Sequence, residues 1–172
     1  MSQPNLETAL PAAVEPWRQN VRGEHDALLR GPRPDWWWTA LAPADCPGRR
    51  PDGRFTALPA PNLATCSRAE VLAAFDNGWT LTEILFAALQ GEEAFYRPPY
   101  HHLRHPMIFY YCHPAALYIN KLRVAGLIER SLNADFERLF ETGVDEMRWD
   151  DMSKNEMLWP EIGAVHAYRQ QV

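Results

Sequence analysis

"HPMIFYYCHPAALYINKLRVAGL", residues 105–127, is one of the most apolar stretches of the chain, and it places His113 in its middle with Pro114 directly after it. Pro106 suits the first position of a helix, with His105 at or beside the N-cap. From Met107 to Ile119 nearly every residue is apolar or aromatic, which predicts a helix enclosed on most sides. Polar character returns only at Asn120, Lys121 and Arg123. Pro114 lacks the N–H that would reach the Tyr110 carbonyl, its ring crowds that carbonyl, and it disfavours helical geometry at His113. The expectation is a kink that turns the imidazole out of the regular packing register and aims it into a cavity. The alternative is a core histidine bonded to a freed carbonyl. Spacing alone favours that alternative, because His113 has no partner at ligand spacing.

Working back from this helix, Ser67 and Glu70 stand in the Ser-x-x-Glu relation of a capping box. Val71, Phe75, Trp79, Thr82, Phe86 and Leu89 then recur at helical steps, which predicts a helix buried on one face through about residue 95. Asp76-Asn77-Gly78 is a candidate kink, and RPPY (97–100) is the stop. Residues 31–61, GPRPDWWWTALAPADCPGRRPDGRFTALPAP, carry too many prolines for any long helix and read as an arm. The Trp36-Trp37-Trp38 cluster would pin that arm to a neighbouring surface. Residues 1–30 place Leu6, Leu10, Val14, Trp17, Val21 and Leu28 as one or two short amphipathic helices. Beyond Gly126 lie shorter pieces: NADFERLFETG (133–143), the acidic VDEMRWDDM (144–152), and a last helix from about Pro160 still running at Val172. No strand-like alternation occurs. The chain reads as all-α, with residues 1–62 as an N-terminal helix and Pro/Trp-rich arm and residues 63–172 as a helical bundle domain.

Composition narrows the classes of function. The chain has 172 residues, 47% hydrophobic, with a formal net charge of −5 and no basic block, which argues against nucleic acid as a partner. No run is long and apolar enough for a membrane span, and the N-terminus lacks the pattern of a secretory signal. Cys46, Cys66 and Cys112 have no paired spacing, so a reducing cytoplasm is the expected setting.

The other candidates are weaker. His101 and His105 stand four apart, but Pro98, Pro99 and Pro106 bracket them, so a polar loop before a helix is expected there rather than two ligands on one helix face. His105 and His113 are too far apart along a helix for one ion. His166 has Gln170 four residues on, not a second histidine, and His25 sits on a charged face. Cys112 adjoins His113, but adjacent helical residues diverge, so an inert buried thiol is expected. Asp145, Glu146, Asp150 and Asp151 could bind a cation, but such clusters more often cap helices.

Two segments, FDNGWTLTEILFAALQGEEAFYRPPYHHLRHPMIFYYCHPAALYINKLRVAGL and FETGVDEMRWDDMSKNEMLWP, resemble the N-terminal region of the 5-histidylcysteine sulfoxide synthases. These are the non-haem iron enzymes of ovothiol biosynthesis, relatives of the ergothioneine sulfoxide synthases. The resemblance runs from roughly Trp36 to the C-terminus. It implies a DinB-like four-helix bundle, incomplete here, that precedes a formylglycine-generating-enzyme-like domain. It also implies the chemistry: iron(II) and dioxygen couple the sulfur of cysteine to the imidazole of histidine and leave a sulfoxide. The family holds its iron with three histidines, and the one on the helix reading YYCHPAALY matches His113, which reverses the preference stated for that residue. The other two belong to a His-x-x-x-His-x-Glu motif that does not occur in these 172 residues. The expectation is therefore the N-terminal part of a synthase, a fragment of a longer protein or the product of a split or decayed gene, inactive without its downstream ligands. Cys112 departs from the family pattern, where a glycine is expected, and narrows the space beside the ligand. A different class stays open: a non-catalytic helical interaction module that binds a partner polypeptide and needs no iron.

Overall fold

The computed structural model describes residues 37–89, 93–99, 104–141 and 159–172. Among them the chain is helical, with no strand and only a single antiparallel bridge between Arg49 and Phe55. The elements are α1 (Arg68–Ala87), α2 (Glu93–Tyr96), α3 (Met107–Val124), α4 (Ala134–Leu139) and α5 (Ile162–Gln171). A short 3-10 turn, Pro43–Asp45, interrupts the proline-rich arm.

The local signals explain most of the boundaries. Ser67 accepts the Glu70 N–H at 3.2 Å while the Glu70 carboxylate accepts the Ser67 N–H at 2.7 Å, the reciprocal box that opens α1. Asn133 caps α4 by accepting the Phe136 N–H at 3.0 Å. Gly126 ends α3 with φ at +70°; its N–H reaches the Arg123 carbonyl and the Leu127 N–H reaches Leu122, the paired bonds of a Schellman stop.

Several expectations need correction. The helix expected to run from the Ser67 cap to about residue 95 stops at Ala87, and Glu93–Tyr96 is a separate turn. Its last carbonyls are taken by i−3 bonds from Ala88 and Leu89, which tighten the final turn rather than extend it. Asp76-Asn77-Gly78 lies inside α1, which runs as one helix through it. Pro106, not His105, is the N-cap of α3, one residue from the expected start. Pro114 lies inside α3, which runs as one helix from Met107 to Val124.

The enclosure of α3 also differs. Ile108, Phe109, Tyr111, Cys112, Ala115, Ala116, Ile119 and Asn120 are buried, a stripe at three- and four-residue steps. Met107, Leu117, Tyr118 and Leu122 are exposed on the other side, so α3 is covered along one broad face rather than all round. That stripe is the spine of the core. Each large apolar side chain on it contributes roughly 1.5–3 kcal/mol by leaving water. Helices α2, α4 and α5 all pack on α3. Helix α1 lies antiparallel to it: Phe75 meets Tyr118 at one end and Phe86 meets Tyr111 at the other.

The buried face of α1 is rotated from expectation as well. Asn77, Trp79, Thr80 and Glu83 are buried, whereas Val71 is exposed. Three of these four are polar because the arm satisfies them. Asn77 accepts the Leu58 N–H at 2.9 Å and donates to the Thr56 carbonyl at 3.0 Å; Thr80 donates to the Leu41 carbonyl at 3.2 Å. Trp37 is in the core, stacked on Tyr111 at 5.3 Å, so the arm is packed into the helices rather than laid over them. Trp36 and the amphipathic segment expected in residues 1–30 lie outside the described residues.

Candidate functional site

His113 sits at the edge of the buried stripe of α3 and is half-buried. Its Nδ1 is 2.5 Å from the carbonyl oxygen of Phe140, the residue that closes α4. A helix-terminal carbonyl has no partner within its own helix, so it needs a donor. The freed carbonyl is therefore that of α4, not the Tyr110 carbonyl that Pro114 abandons. A carbonyl oxygen can only accept, so Nδ1 carries the proton and the neutral ring keeps its lone pair on Nε2. The ring also stacks on Phe109 four residues earlier, with centroids 5.1 Å apart and planes 21° from parallel. Orientation and tautomer are thus both fixed by contacts at Nδ1 and at the ring face.

This pattern is shared by two kinds of histidine. A metal-ligating imidazole commonly donates its second N–H to a backbone carbonyl, which fixes the tautomer. A structural histidine that caps a helix end makes the same bond. Nε2 decides between them, and among the described residues no group of three or more His, Cys, Asp or Glu side chains converges to hold a metal. His113 has the donor chemistry of one ligand.

The other candidates are placed as follows. His105, expected in a polar loop, is buried: it lies 4.2 Å from the Phe109 ring and 6.1 Å from Trp159, and its N–H reaches the Tyr110 hydroxyl at 3.3 Å. It is a core histidine, enclosed because the segment before α3 folds down onto α3's first turn. His166 is also buried, with Nδ1 3.0 Å from the Tyr111 hydroxyl and its ring beside Trp37. Cys112 is fully buried, and burial pushes its thiol far above the ordinary range, the Arg169 charge opposing only in part. The burial expected of this thiol is what the fold contains. Cys46, Cys66 and Cys112 are all free. His25, His101 and the acidic group Asp145, Glu146, Asp150 and Asp151 lie outside the described residues.

The sequence reading missed a buried ion pair beside this region. Arg169 on α5 and Glu83 on α1 meet at 3.3 Å with both side chains fully shielded from solvent. The guanidinium lies between the rings of Trp79 and Tyr111, 4.3 Å from each centroid, and donates to the Tyr111 carbonyl at 2.6 Å. Glu83 also accepts from the Thr39 N–H at 3.1 and 3.2 Å and from the Thr39 hydroxyl, while its own backbone carbonyl accepts the Trp37 indole N–H. Trp79 Nε1 donates to the Thr39 hydroxyl oxygen at 2.9 Å. Four stretches of chain (the arm, α1, α3 and α5) therefore share one charged junction. A signal for it exists in the sequence. Glu83 falls four residues after Trp79 on an apolar stripe and Arg169 four after Val165 on another, and a charge on a buried stripe needs a partner of opposite sign.

No family model matches this chain, and no curated protein matches it. Among the described residues no helix is long and apolar enough to cross a membrane.

Proposed function

We propose that this chain is the N-terminal helical part of a non-haem iron(II), dioxygen-dependent sulfoxide synthase that couples cysteine sulfur to the imidazole of histidine. Its fold would be the first part of a DinB-like bundle, and His113 would be one of three histidine ligands, the others coming from a downstream domain or polypeptide. The bond from His113 Nδ1 to the Phe140 carbonyl is compatible with this reading, because it leaves Nε2 as the metal-facing donor. What carries it is the resemblance of the surrounding string, YYCHPAALY, to the ligand helix of that family. Bound iron would supply the centre at which dioxygen is activated. This chain would orient one ligand and, through the aromatic wall of Phe109 and Phe140, keep water from one side of it.

The test joins the 172-residue chain to a polypeptide carrying the His-x-x-x-His-x-Glu motif and measures iron content and coupling of cysteine to histidine. The chain alone should bind iron weakly and make no sulfoxide, because one imidazole does not chelate. In the joined protein His113→Ala should lose both iron and coupling, whereas His105→Ala should retain iron after allowance for its structural cost. Full iron and normal turnover in His113→Ala would overturn the assignment.

A second reading has its own observation. Leu85, Val124 and Leu127 are 73%, 86% and 71% exposed, alongside Leu117 and Tyr118, which suits a helical module that docks on a partner polypeptide. Such a module would bind its partner without metal and tolerate His113→Ala.

A further inference from the structure

We propose that Arg169 is a positioning residue for His113: it secures the turn of α3 that Pro114 leaves short of a donor, and so governs where the imidazole points. The proposal rests on the reading of His113 as a ligand, but its geometry stands apart from iron.

Pro114 gives no N–H to the Tyr110 carbonyl, and its ring crowds the turn in which that carbonyl lies. The next carbonyl in the same turn belongs to Tyr111, three residues before Pro114 and two before His113. Arg169 Nη1 donates to that oxygen at 2.6 Å, a short charge-assisted bond. The guanidinium has little freedom to move away, since Glu83 holds it at 3.3 Å and the Trp79 and Tyr111 rings flank it at 4.3 Å each. His113 is therefore tied at two points. Its backbone follows a turn anchored by Arg169, and its Nδ1 is anchored by the Phe140 carbonyl. A hydrophobic side chain of similar volume would fill the same space but would leave the Glu83 carboxylate buried without its counter-ion, so Arg169→Met is read beside the charge-keeping Arg169→Lys. What the guanidinium adds is a directed donor on the carbonyl adjacent to the one that Pro114 leaves without its i+4 N–H.

The experiment uses the full chain with 15N-labelled histidine, and ring 15N shifts read at alkaline pH, where the imidazole is neutral. The wild-type protein should show the Nδ1–H tautomer of His113 alone. Arg169→Met should show a mixture of both tautomers with helix content unchanged by circular dichroism. Arg169→Lys should restore part of the preference, since an ammonium keeps the charge and one donor but not the planar fork. Pro114→Ala in the Arg169→Met background should restore it further, because an alanine in place of the proline returns an N–H to the Tyr110 carbonyl. A residue that merely fills space would show no dependence on the proline. If Arg169→Met fails to fold, Arg169→Lys with and without Pro114→Ala carries the same comparison. A single tautomer in Arg169→Met or in the lysine variant, or a mixture that Pro114→Ala leaves untouched, would overturn the proposal. Iron retention by the joined protein is read separately. Tautomer mixing in Arg169→Met, together with a joined wild-type protein that never holds iron, would uphold the positioning role and sink the ligand reading.

Discussion

Replacing Glu83 by Gln tests how much of the fold depends on the buried junction. Gln keeps the length of the side chain and an oxygen that can accept from Thr39, but it removes the charge opposite Arg169. The guanidinium then sits fully shielded from solvent with no counter-ion. Breaking a buried pair from one side costs about 3–5 kcal/mol, because the surviving charge is left uncompensated. Two contacts survive the change: the Tyr111 carbonyl at 2.6 Å and the paired aromatic faces at 4.3 Å. They place the expected cost near the lower bound, about 3 kcal/mol. For a chain of this size that corresponds to a fall in melting temperature of roughly 6–12 °C. The double variant Glu83→Leu/Arg169→Met should cost less than Glu83→Gln, since it buries no lone charge. Its remaining penalty is the loss of the bond that Glu83 accepts from the half-buried Thr39 N–H and of the one that Arg169 donates to the Tyr111 carbonyl, about 0.5–1.5 kcal/mol each. Urea unfolding followed by circular dichroism gives both numbers at one pH. A Glu83→Gln loss below about 1 kcal/mol, or a double variant clearly worse than the single one, would refute the view that charge compensation is what the pair contributes.

Glycine substitutions should diverge in sign. A Cβ at Gly48 would overlap the Asn77 amide nitrogen and the Thr56 carbonyl oxygen, so Gly48→Ala should destabilise by about 1–3 kcal/mol. Gly78→Ala, with open space around it inside α1, should instead stabilise by about 0.5–1 kcal/mol; thermal melts of the two variants compare them directly. Glu137 gives a pH dependence: burial raises its pKa, but bonds from the Ser131 hydroxyl and the Asn133 and Leu132 N–H groups, with the Arg123 charge, outweigh that and hold it below the ordinary carboxylate range. Its contribution to stability is therefore present above the usual carboxylate pKa and fades as pH falls through the lower folded value. Urea midpoints measured down the acid limb should lose part of their slope in Glu137→Gln.

The all-α class, the α1 start at Ser67, the central helix in residues 105–127 and the last helix from about Pro160 all follow from local chemistry. A capping box, an apolar run of helix length and prolines at its margins act over a few residues, so they are visible without a fold. The lack of a second histidine at ligand spacing from His113 is likewise a property of the string. The sequence did not reveal which face of α1 is inward, that His105 is buried, or that the arm enters the core. Periodicity assumes that polar residues face water, and Asn77, Thr80 and Glu83 break that assumption because donors and acceptors from residues 39, 41, 56 and 58 reach them from elsewhere in the chain. The partner of His113 was likewise a matter of tertiary structure. Pro114 marks Tyr110 as the carbonyl left free, but only the docking of α4 on α3 brings the end of a second helix, 27 residues away, to within 2.5 Å of Nδ1. The string determines which helices form and which side chains carry chemistry. Their polar pairings are set when the helices dock, because a buried donor takes whichever acceptor the packing of apolar faces brings to it.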